Sequence, residues 1–320
     1  MAVYTRIKRK DLEDFVAKFD IGDIVACDAI ADGIENTNYL LETTTGKYVL
    51  TLFEKRVQPD DLPFFVALMS FLERRSFPCP RPVPDRNGDV LHKLSERPAA
   101  LVRFVPGAWP RDVIPDHCRE AGKTLARLHL SAAEFGMTRN NDLALPDWRR
   151  LANSLGDRAD SLQTGFAMWI TEELVSLDAK WPQNLPTGIV HGDLFPDNVF
   201  FENGRISGVI DFYFACNDAL AFDLAICLNA WCFPEPDRFD IDHGAALLAG
   251  YQAVRPLSLE ERNALPILAR GAAMRFLVTR VHDWFHTPED ALGTRKDPLD
   301  MVPVIEFHRA VSDSAAYGLG

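Results

Sequence analysis

Apolar residues at Leu12, Phe15, Val16 and Phe19 recur at the spacing of one helical face, which predicts a helix over residues 10–19. The pattern then shortens to apolar and β-branched runs at 24–26, 37–41 and 47–53, predicted as strands, with Thr45 and Gly46 turning between the last two. A helix is expected over 61–74. The next stretch holds Pro78, Pro80, Pro82 and Pro84, too many for a helix or a central strand, so it is expected to cross the fold in extended form. Asp85-Arg86-Asn87-Gly88 turns the chain, and strands are predicted at 90–94 and 99–105, the second stopped by Pro106-Gly107. Helical patterns dominate afterwards. Residues 118–130 set Leu125, Leu128 and Leu130 against Arg119, Lys123 and Arg127, and further helices are predicted at 147–155, 165–177, 219–231, 241–251, 259–283 and 298–312. Two short strands, 187–190 and 198–201, bracket a polar loop, and a third at 206–210 follows the tight turn Asn203-Gly204.

Composition narrows the class without choosing a reaction. With 320 residues, 47% of them hydrophobic, the chain can bury a large core. Its net charge of -12 argues against a nucleic-acid surface and for a small-molecule substrate. No apolar run approaches the roughly 20 residues of a membrane span, and the first residues lack the apolar core of a secretory signal, so a cytoplasmic enzyme is expected. The six cysteines form no C-x-x-C pair and sit mostly among apolar neighbours, the pattern of buried free thiols.

The polar loop carries the chemistry. His191-Gly192-Asp193-Leu194-Phe195-Pro196-Asp197-Asn198-Val199 is followed, one hairpin later, by Ile210-Asp211-Phe212. Phosphoryl transfer to a hydroxyl is mainly positioning and charge neutralisation. Asp193 can hold the acceptor hydroxyl and take its proton, while Asn198 and Asp211 offer the hard oxygen ligands that Mg2+ prefers. The structural alternative is that Asp193 and Asp197 cap turns and Asp211 caps the helix beginning near Asp218. The Ile210-Asp211-Phe212 run at hairpin distance favours the catalytic reading.

This arrangement resembles the protein-kinase-like superfamily in the form used by aminoglycoside phosphotransferases. Ile210-Asp211-Phe212-Tyr213-Phe214-Ala215-Cys216-Asn217-Asp218, Phe222-Asp223-Leu224, Asn229-Ala230-Trp231, Gly33-Ile34-Glu35-Asn36-Thr37 and the segment from Arg275 to Trp284 are similar to the homoserine kinases of that family. The resemblance, spanning residues 1–310, implies an α+β, two-lobed fold: a small antiparallel-sheet nucleotide-binding lobe over 1–106 and a larger, mainly helical catalytic lobe over 107–320. It implies ATP and Mg2+ as cofactors, with Gly33, Asn36 and Thr37 at the phosphates and the main chain of Arg103, Phe104 and Val105 at the adenine. Asp193 would be the acceptor base, giving O-phospho-L-homoserine on the route to threonine. The charged ends of homoserine call for paired opposite charges, for which Arg275, Arg280 and Asp283 are the candidates.

The sequence departs from the superfamily at one point. Thr51 stands where a lysine normally grips the phosphates, and Phe64 and Phe65 stand near the glutamate that would pair with it. A buried lysine without its carboxylate would be costly, so the joint loss is coherent. Lys55 or Arg56 could reach the phosphates instead. Two alternatives stay open: a kinase for another small hydroxylated amine, such as an aminoglycoside, choline or a sugar-amine adduct, and a catalytically idle nucleotide-binding protein.

Overall fold

In strand β2, Thr37–Thr43, every second residue is buried, and this alternation marks one face packed on a core. The sheet around it has the order β1-β2-β3-β5-β4, with β1 at Ile24–Ala29, β3 at Gly46–Leu52, β4 at Leu91–Leu94 and β5 at Arg97–Arg103. Every pairing is antiparallel. Helix α1, Arg9–Val16, buries Leu12, Phe15 and Val16 in the same apolar cluster as Leu41, Leu50 and Leu101. Helix α2, Leu62–Arg74, buries Phe64, Phe65, Leu68 and Leu72. The proline-rich stretch crosses in extended form as expected. It bonds to the end of β5 through Val83 N to Leu101 O and Arg103 N to Arg81 O, both 2.8 Å, which places its N–H-poor backbone at an edge. β5 ends at Arg103, two residues short of the prediction.

The computed structural model describes residues 5–30, 36–54, 57–286 and 296–319. The chain divides into two units. One takes in Met1–Gly107 and Ser207–Tyr213, and the other takes in Ala108–Ile206, Phe214–Glu289 and Arg295–Gly320.

The second unit is mainly helical: α3 at Pro115–Ser131, α4 at Leu145–Leu155, α5 at Phe166–Lys180, α6 at Leu220–Trp231, α7 at Ile241–Gln252, α8 at Leu259–His286 and α9 at Met301–Ala310. Strand β6, Thr187–Val190, enters the polar loop, and β7, Val199–Glu202, leaves it. β7 joins β8, Arg205–Val209, across Asn203 and Gly204, whose φ angles of 51° and 74° suit the predicted tight turn. Strand β9, Cys216–Ala219, is not among the strands expected from the sequence, which places only a helix start near 218–219. It is extended because it pairs with β6 and because Asn217 N donates to Arg139 O at 2.7 Å while Arg139 N donates to Asn217 Oδ1 at 2.9 Å. Such long-range pairing leaves no local signal. Among the described residues, no helix is long and apolar enough to cross a membrane, and all six cysteines are free thiols, four of them buried.

Candidate active site

The loop after β6 is gripped from behind. Gly192 has φ of +76°, and a side chain there would bring Cβ to 3.0 Å from the Phe214 carbonyl, so glycine serves both conformation and space. The Asp223 carboxylate, fully buried in α6, accepts from His191 N at 2.7 Å and Gly192 N at 2.9 Å. Its other partner is His129 Nε2 at 3.1 Å, and His129 Nδ1 meets the Tyr251 hydroxyl at 2.8 Å. Tyr251 in turn receives Arg255, which is ion-paired with Glu261 at 2.9 Å. Burial pushes the Asp223 carboxyl up, but the His129 hydrogen bond, with the His129 and His191 charges and the His191 amide, outweighs it and holds the group below the usual carboxylate range. A charged Asp223 is what a pair of backbone N–H groups requires.

Two carbonyls of the loop are also held. Trp231 Nε1 donates to Leu194 O at 2.7 Å, and Arg275 Nη1 donates to Gly192 O at 2.5 Å. Asp193 itself is half-buried. Asn198 Nδ2 donates to Asp193 O at 2.9 Å and to Asp193 Oδ2 at 3.3 Å. These bonds fix the amide with its oxygen turned away, and among the described residues no donor is bonded to Asn198 Oδ1. The second unit therefore brings Asp193 and Asn198 together and leaves a hard oxygen available for a cation.

Asp211 belongs to the first unit, two residues beyond β8, with φ of +62°, uncommon for a non-glycine residue. Tyr213 follows it, its ring set edge-on between Phe53 and Phe65 at 5.2 and 5.6 Å. Burial, then the Asp211 charge, pushes the Tyr213 phenol upward, so it remains neutral at physiological pH. In the same unit Arg103 N and Phe104 N donate to Arg81 O and Lys47 O, whereas no acceptor takes the Val105 N–H among the described residues. Val105 packs against β8 where Gly208 has no side chain; a Cβ there would lie 2.1 Å from Val105 Cγ1. A cavity of about 480 Å³ opens beside this stretch, bordered by Cys79, Arg81, Arg103, Val105 and Ser207.

Several expectations change. Asn36 and Thr37 are buried, and their side chains turn to Glu54: Thr37 Oγ1 donates to Glu54 Oε1 at 2.8 Å and Asn36 Oδ1 accepts from Glu54 N at 3.2 Å. Gly33, Lys55 and Arg56 lie outside the described residues. Arg275 is 3% exposed and engaged with the loop. Arg280 Nη1 meets the Asp297 carbonyl at 3.3 Å, and Asp283 pairs with His282 at 3.7 Å, so the three charges do not form one cluster. Asn229, in one of the segments that carry the resemblance, is buried on Ala269 O and His308 Nε2. The grip of Asp223 had a sequence signal: it is the only charge in the apolar run from Leu220 to Trp231.

Residues 27–257 match the Phosphotransferase enzyme family, well over half of the chain. The chain belongs to that family. Homoserine kinase of Rhodospirillum rubrum is 52% identical over 319 residues, covering 100% of this chain and 99% of that protein. Homoserine kinase of Paramagnetospirillum magneticum is 50% identical over 325 residues with both chains covered in full, and that of Xanthobacter autotrophicus is 51% identical over 319 residues, 100% and 99% covered. Within the family the chain therefore groups with the homoserine kinases. Solved structures share the fold: a microcompartment-associated aminopropanol kinase has a TM-score of 0.71 at 18% identity, covering 98% and 99% of the two chains. An amicoumacin kinase in complex with AMP-PNP and Ca2+ has a TM-score of 0.69 at 15% identity, covering 94% and 92%. The α+β phosphotransferase fold expected from the sequence is thus the fold of this chain.

Proposed function

We propose that the protein transfers the γ-phosphoryl group of ATP to the side-chain hydroxyl of L-homoserine, giving O-phospho-L-homoserine and ADP. The observation that carries the reading is full-length similarity at about half identity to homoserine kinases, joined to an intact Asp193 and Asn198 pair on a rigidly held loop.

In this reading Asp193 accepts the hydroxyl proton late, as charge drains from the attacking oxygen toward the metaphosphate-like group, so its pKa need not be high. Asn198 Oδ1 and the Asp211 carboxylate are the proposed Mg2+ ligands. Among the described residues no cluster of three His, Cys, Asp or Glu could hold a metal, so the ion would complete its shell with phosphate oxygens and water. The bound ion would neutralise the phosphates and align the γ-phosphoryl group. The main chain at 103–105 is proposed for adenine, with the Val105 N–H as donor. Gly33, Asn36 and Thr37 are proposed at the phosphates through their main chain. Arg280 and Asp283 are the proposed partners of the homoserine carboxylate and ammonium, and Arg275 is assigned to the loop instead. The proposed nucleotide part is 1–106 and the proposed catalytic part is 107–320, acting in the cytoplasm. ADP release with Mg2+, measured over homoserine, aminopropanol, choline and an aminoglycoside, tests the reading; homoserine must give the highest kcat/KM.

A further inference from the structure

The position vacated by the lysine is filled by a neutral hydrogen-bonded pair. Thr51 and Asn38 face each other across β2 and β3. Thr51 Oγ1 donates to Asn38 Oδ1 at 2.7 Å. Asn38 Oδ1 can only accept, so the bond fixes the amide and leaves both Asn38 Nδ2 protons over. Among the described residues nothing accepts them, and Asn38 is only half-buried.

We propose that Asn38, oriented by Thr51, donates its side-chain amide to a phosphate oxygen of the bound nucleotide and so takes the place of the missing lysine. The inference rests on the phosphotransferase reading above. It accounts for two observations together. Phe64 and Phe65 are buried near the place expected for the partner carboxylate, so a lysine at 51 would lack it, whereas an amide needs no counter-charge. Asn36 and Thr37, the expected polar donors, turn their side chains to Glu54.

The test uses the full chain and titration calorimetry with Mg2+ and AMP-PNP, so that it does not depend on turnover. Asn38→Ala is expected to weaken nucleotide binding about tenfold or more, the scale of one hydrogen bond to a charged acceptor. Thr51→Val is expected to weaken it severalfold, Thr51→Ser to restore it, and Asn38→Ala with Thr51→Val to be no worse than Asn38→Ala alone. The homoserine KM should stay within about threefold, since the inference assigns these residues to the nucleotide alone. Thermal melts separate binding from folding: variants that lose stability but bind AMP-PNP like the parent overturn the inference. A parent protein that binds no nucleotide would sink the phosphotransferase reading along with it.

Discussion

Replacing Arg275 separates two roles that the sequence left together. The guanidinium is 3% exposed, donates to Gly192 O at 2.5 Å and lies 4.9 and 5.6 Å from the Phe276 and Phe214 rings. Among the described residues no carboxylate is within ion-pair distance of it, and burial, partly countered by the Asp193 charge, lowers its pKa. Arg275→Met keeps most of the packing volume but strands the Gly192 carbonyl, a loss of about 1.5–3 kcal/mol for a bond from a charged donor. Were all of it felt in the transition state, turnover would fall about 10- to 150-fold. A coupled ADP-release assay, with homoserine and ATP varied separately, reads the division. A loop-holding Arg275 predicts that kcat falls by at least tenfold while the homoserine KM changes by less than about threefold. An unchanged kcat with a homoserine KM raised fiftyfold or more would show that Arg275 clamps the substrate carboxylate, and the loop argument would be wrong.

Asp193→Asn should reduce kcat by orders of magnitude while AMP-PNP binding, followed by calorimetry, stays near the parent value; substantial residual turnover would remove Asp193 from the role of base. Asp211→Ala should raise the Mg2+ concentration needed for half-maximal activity at least tenfold, and an unchanged metal dependence would count against it as a ligand. His308 is held between Tyr317 and Asn229, and burial depresses its pKa to about 3. The unfolded chain, with a pKa of about 6.5, then binds a proton that the folded chain does not, so stability is full above pH 6.5 and declines below it, by about 2 kcal/mol from pH 7 to pH 5. Urea unfolding at the two pH values measures this, and His308→Gln should show a distinctly smaller decline.

Much of the frame was legible in the sequence because it rests on local signals. The alternation of β2, the one-sided apolar pattern of α3, the Asn203-Gly204 turn and the proline crossing all followed from neighbouring residues. β9 did not, since Asn217 is extended only by partners at 139–140 and in β6. The same limit applies to side-chain direction at the candidate site. Thr37 is a plausible phosphate donor by residue type, yet it sits at 0% exposure on Glu54, a partner 17 positions away. Thr51 reads as a loss by residue type, yet its hydroxyl orients Asn38 on the neighbouring strand.

The loop around Asp193 owes its shape to side chains from two helices. Its backbone groups are held by residues behind it: the amides of 191 and 192 on Asp223, the carbonyl of 192 on Arg275 and the carbonyl of 194 on Trp231. Asp223 and Trp231 come from α6 and Arg275 from α8, two helices packed on each other within one unit. The carboxylate of Asp193 is thereby presented by elements that need not touch the acceptor at all. Changes to side chains outside this support should then leave the Asp193 carboxylate in place. Replacing side chains that contact the acceptor should accordingly move the homoserine KM and leave nucleotide binding unchanged.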